Sequence, residues 1–263
     1  SCIPASTPNS IDSGTITAWD LNAFLSEGAE RAPPVATFGI ETGMEAVLQL
    51  LAPPNESVLV VRGSNEVAVL ERVTGAELGR REITVSAVTY TSAVSGENEV
   101  SARVIALDLN QGTVLSLDET TLRTESTQTP ESPPLGTLMT SGRGNNQLIW
   151  VPVGPLPATD EHEATTGGMM IMRGGALTPD DTIPLPGPAR ALGWDLVANL
   201  VYVAGPEQVW TIEPHGDNRS GYAVYDETMV DGEPLGVAFD VSDTSQTDDH
   251  GRLIVSTQRS DNG

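Results

Sequence analysis

Three carboxylates, Glu45, Asp195 and Asp240, stand on the leading segments of separate copies of a repeating sequence. Paired carboxylates are the equipment of glycoside hydrolysis, provided two of them flank the scissile bond at about 5–10 Å. Nothing in their spacing brings any two together. Aromatic residues make up only 4% of the chain, which leaves little to stack a sugar. A glycoside hydrolase-like or lactonase-like enzyme is therefore the alternative reading, and no catalytic residue is assigned. A zinc centre needs a cluster of Cys, His or carboxylate ligands. His162, His215 and His250 fall in three different repeats, none with a second histidine at ligand spacing, so no metal and no cofactor are expected. The chain has no lysine and hence no phosphate loop of the Gly-Lys type. The acidic stretch 243–249 lacks the calcium-loop spacing. Asn55-Glu56-Ser57 and Asn218-Arg219-Ser220 fit the glycosylation pattern, which matters only in a secreted eukaryotic protein.

Arg190 is the other residue that could bind something. Aligning the leading segments puts Glu45, Gly136, Arg190 and Gly236 at corresponding positions, with a residue near Ala87 completing the set. If the copies are arranged about a common axis, their leading segments line it, so Glu45 and Arg190 are expected to face each other across the mouth of a central channel. Either Arg190 receives a carboxylate or phosphate through its planar fork, or the two close the channel as an ion pair. The ion pair is the preferred reading.

The elements that would position these residues come from the repeat. In 58–83 an apolar run, Val58 to Val61, is followed by the turn Gly63-Ser64-Asn65. An alternating stretch follows around Val67 and Val69, then the turn Thr74-Gly75, then a more polar strand. With 45–52 ahead of it, this makes four strands in about forty residues, the size of a propeller blade. Apolar runs of the same kind begin at Val58, Val104, Leu148, Leu200 and Leu253, roughly 44 to 53 residues apart. Glycine, proline and β-branched residues crowd every copy, which favours strands over a helical solenoid. The expected fold is all-β: a β-propeller of five four-stranded blades. The strand at 15–21 is expected to pair with that at 253–257, closing the ring within one blade and removing open edges. Residues 1–13 read as a flexible tether and 14–263 as a single domain.

The chain of 263 residues carries 36 acidic residues against 13 arginines, for a net charge of −23. Nucleic acid is excluded as a partner, because phosphate binding needs a cationic surface. A bare anionic membrane is disfavoured by the same repulsion. The acidity reads first as a solvated surface; adaptation to salt or weak divalent-cation binding in loops is the sharper alternative. Two long loops, 154–168 with Asp160, Glu161, His162 and Glu163, and 241–251 with Asp243, Asp248, Asp249 and His250, are either binding loops or tolerated insertions.

Several short segments resemble the Tyr-Val-Thr-Asn (YVTN) class of propeller repeats. Pro234-Leu235-Gly236, Tyr202-Val203, Val67-Ala68-Val69 and Thr74-Gly75 stand in the places of that class's Pro-x-Gly, Tyr-Val, Val-x-Val and Thr-Gly segments. The resemblance implies the fold and an extracytoplasmic setting, without a reaction. Ser1-Cys2 followed by the polar, proline-bearing 3–12 resembles a mature bacterial lipoprotein, with lipid on Cys2; a free terminal cysteine is the alternative. Together these readings lead to a non-enzymatic, extracytoplasmic scaffold, monomeric, that binds an unknown protein or a small polar ligand. It would meet a membrane only through a lipid anchor.

Overall fold

The computed structural model describes residues 15–19, 34–39, 44, 47–53, 56–94, 101–142, 146–160, 162–195, 197–213, 222–240 and 252–258. Cys2, Glu45, Glu161, His215, His250 and the loop 241–251 lie outside them, as does the tether 1–13. Among the described residues no helix is long and apolar enough to cross a membrane. The chain divides into two compact units, one of 1–85 with 117–123 and one of 86–116 with 124–263.

In the first unit β1 (Thr15–Trp19) pairs with β2 (Pro34–Gly39). Strands β3 (Gln49–Leu51), β4 (Val58–Arg62), β5 (Glu66–Glu71) and β6 (Glu77–Glu82) follow as an antiparallel meander. β4 and β5 are buried along almost their whole length, as their continuous Val/Leu/Ala runs require, and β6 is polar and outermost. Met44, Leu59, Val61, Ala68 and Leu70 form the core here. The β5–β6 turn closes on Glu71, whose carboxylate accepts the Thr74 amide at 2.6 Å, with Gly75 at φ 73°. The segment 117–123 packs onto β6. A Cβ on Gly79 would lie 2.0 Å from the Thr120 carbonyl oxygen, so only glycine allows this approach.

The second unit holds three complete meanders. The first is β7 (Ala87–Thr91), β8 (Arg103–Asp108), β9 (Thr113–Asp118) and β10 (Thr124–Gln128). The second is β11 (Met139–Ser141), β12 (Leu148–Val153), β13 (Gly167–Arg173) and β14 (Thr178–Leu185). The third is β15 (Ala191–Asp195), β16 (Leu200–Ala204), β17 (Gln208–Glu213) and β18 (Ala223–Met229). Last, β19 (Glu233–Asp240) pairs with β20 (Arg252–Gln258). Every residue of β12 is buried, and the core between β11–β14 and β15–β18 centres on Trp150 and Trp210. Trp150 donates its indole N–H to the Ser141 hydroxyl at 2.7 Å. Trp210 lies against Gly205, where a Cβ would come within 2.2 Å of the ring.

Among the described residues β1 pairs with β2 and β20 with β19, each as a two-stranded sheet. The leading strands are shorter than their apolar sequences suggest. Among the described residues the paired stretches are Gln49–Leu51, preceded by the Leu48 amide on the Arg62 carbonyl, and Met139–Ser141, and Gly136 sits at φ 78° ahead of the latter.

Candidate functional site

Asp195 ends β15 and is 1% exposed. Its Oδ1 accepts the amides of Val197 at 2.7 Å and Ala198 at 3.0 Å, closing the turn into β16. Asp108 does the same for Asn110 and Gln111, and Asp118 for Thr120 and Thr121. Asp195 therefore belongs to a repeated turn device in which a short carboxylate replaces a backbone acceptor. Asp240 lies on β19, 252–258 opposite it, and Glu45 is outside the described residues.

The acidic loop 154–168 folds back on itself. Leu156 and Thr165 exchange backbone hydrogen bonds at 3.2 and 3.1 Å, and Leu156 is buried against Gly168. His162 Nδ1 lies 2.8 Å from the Glu163 carbonyl oxygen within this loop. Among the described residues no group of three or more His, Cys, Asp or Glu could hold a metal ion.

Arg190 does lie at a cavity. It directly precedes β15, tied down by its amide to the Ala204 carbonyl at 2.8 Å. Its guanidinium pairs with Glu233 at the start of β19. The cleft around this pair measures about 560 Å3 and is lined by Pro206 and Glu207 of the β16–β17 turn, the stretch 229–232 and Gln258. Three carboxylates, Glu207, Asp231 and Glu233, thus surround one cation. Both partners of the ion pair are well exposed, at 39% for Arg190 and 49% for Glu233. A pair this wet contributes about 0–1 kcal/mol.

The backbone shapes the cleft from below. The Val230 amide donates to the Glu207 carbonyl at 3.1 Å, and Gly232 takes φ 97° to turn the chain into β19. A Cβ there would stand 2.9 Å from the Gln258 carbonyl. The sequence singled out Arg190 and missed Glu207, Asp231 and Glu233. The dipeptide Asp231-Gly232 between two strand-like stretches was the signal available for this turn.

Comparison with solved structures gives the fold. Over 88% of this chain the structure of Saccharomyces cerevisiae Sqt1 superposes with a TM-score of 0.58 at 12% identity, covering 60% of that chain. The Mitotic Checkpoint Complex structure matches over 93% of this chain at a TM-score of 0.61 and 14% identity, with 66% of that chain covered. The WD40 domain of Toxoplasma gondii coronin matches over 86% at a TM-score of 0.62 and 12% identity, with 57% covered. The fold is a β-propeller. No family model matches the sequence, and no curated protein matches it. The chain spans less than two thirds of the length of the solved propellers it resembles. On this propeller the four complete meanders are blades, and the cleft opens at one end of the blade β15–β18, beside the β19–β20 pair.

Proposed function

We propose that this propeller is a non-enzymatic binding scaffold whose partner is a protein. The observation that carries the reading is the contrast between its strands. The central strands β12 and β13 are buried along nearly their whole length, whereas β18 and the cleft beside it present apolar and charged side chains to solvent. A rigid frame that displays a variable surface is what binding platforms use. Asp195, the described candidate for catalysis, is engaged in a turn instead. One of the similar solved structures belongs to the Mitotic Checkpoint Complex, a protein assembly by name.

The finer reading keeps the repeats with the Tyr-Val-Thr-Asn class and places the protein outside the cytoplasm, with lipid on Cys2 holding it at a membrane. Lipid chains contribute about 0.8 kcal/mol per buried methylene, ample to retain so acidic a domain. Mass spectrometry of the native protein checks this: Cys2 without lipid contradicts the anchor. The scaffold itself is tested by photo-crosslinking residues placed at Tyr225 and at Glu125 in native cells. Discrete protein adducts from the first and none from the second support it; no adduct from any exposed position of either unit contradicts it.

A further inference from the structure

We infer that β18 and the cleft at its end receive an extended, basic segment of the partner, with one arginine or lysine side chain entering the cleft. This rests on the scaffold reading and names the partner's chemistry. Four strands end complete sheets as outer edges, and edges are normally blunted by proline, charge or a twist. β6 carries Arg80 and Arg81, and β14 carries Pro179 and Pro184. β10 exposes no large apolar side chain, whereas β18 exposes two, Tyr225 at 74% and Met229 at 70%. It contains no proline, and its charges, Asp226 and Glu227, are both acidic, so its outer side bars an acidic strand but can add a basic one.

Charge selects what that strand carries. Between Ala223 and Glu233 stand Asp226, Glu227, Asp231 and Glu233 and no cation, on a chain of net charge −23. The cleft already shows which group it holds, because Arg190 lays its guanidinium on Glu233 there. An anion would have to displace Glu233 and then sit beside Glu207 and Asp231. A partner's guanidinium or ammonium meets a cleft lined by three carboxylates and one exposed arginine, which is paired with Glu233. Arg190 is thus the internal competitor of the incoming cation, and its removal should favour binding.

The probe is a capped nine-residue peptide of alternating arginine and valine, titrated against the intact chain by fluorescence anisotropy at fixed salt. A second probe has the same residues with alternate valines N-methylated, which keeps the charge and removes strand pairing. The first peptide should bind at least about tenfold more tightly than the second. Glu207→Gln with Asp231→Asn should weaken it about tenfold, and Glu125→Gln with Glu131→Gln, the same charge change elsewhere, by less than about twofold. Arg190→Ala should strengthen it a few-fold. Equal binding of the two peptides, equal effects of the two double variants, weaker binding in Arg190→Ala, or no binding of the first peptide overturns the proposal. If that happens while a discrete crosslinked partner is captured elsewhere on the surface, the scaffold reading survives and this one does not.

Discussion

β14 and β18 hold the same position, the outer strand of a complete blade, and are finished in opposite ways. On β14, Asp180 accepts from Arg173 Nε and from the Tyr222 hydroxyl, both at 2.6 Å, and Pro179 and Pro184 remove two amides from the strand. β18 follows Tyr222, whose ring meets Trp150 edge-on at 5.6 Å. From there to the cleft its side chains Tyr225 to Met229 are exposed. One blade plan therefore yields a sealed edge and an available one. The difference between the edges lies in a few outer residues, while β13 and β17 beside them both have buried centres.

The comparison is broken most severely by removing what both edges stand on. Trp150→Ala empties the core shared by the two blades and frees the Ser141 hydroxyl, so a loss of about 3–5 kcal/mol is expected in urea unfolding. Tyr222→Phe is more selective. It removes a hydrogen bond to a carboxylate, worth about 1–2 kcal/mol at this part-buried site, and should loosen β14 towards the state of β18.

The same network gives a pH signature. Partial burial raises the Asp180 carboxyl, but the hydrogen bonds from Arg173 and Tyr222 outweigh it and hold the pKa below the usual value. Its contribution is present above the unfolded value, about 4, and is lost as pH falls through the folded one. Burial, and then the bond to Asp180, push Tyr222 well above the usual tyrosine. Its contribution is full below about pH 10 and lost as pH rises through the folded value. Urea midpoints against pH should show both limbs, and Tyr222→Phe should flatten the alkaline one. The smallest effect belongs to the cleft. Arg190→Ala should change stability by no more than about 0.5 kcal/mol, since both partners are exposed. A larger loss would make Arg190 a structural brace rather than a competitor for the site.

The blades were legible because their inner strands obey one rule. Val58 to Val61 and Leu148 to Val153 are apolar throughout, and strands covered on both faces must be. The turn glycine Gly75 was legible because a positive φ excludes most other residues. The expected pairing of β1 with β20 rests on the repeat's need for complementary halves, because strand pattern alone does not encode which edge a strand meets. Asp195 was a candidate only for the glycosidase alternative, since a turn-closing carboxylate and a reactive one are the same residue type. Only the two amides at its Oδ1 separate the roles. Arg190 was found from its place in the repeat, whereas its partner Glu233 lies 43 positions away, in the next copy. Coulomb pairing between copies leaves no trace in spacing.

Hydrogen exchange on the free, intact chain at neutral pH tests the central claim most directly, because it reads the two edges in one experiment. The amides of Val224 to Met229 should exchange at least about tenfold faster than the non-proline amides of β14, with those of β12 slowest of all. Protection of β18 equal to that of β14 would mean that its edge is sealed as well, and the account of β18 as the available edge would be wrong.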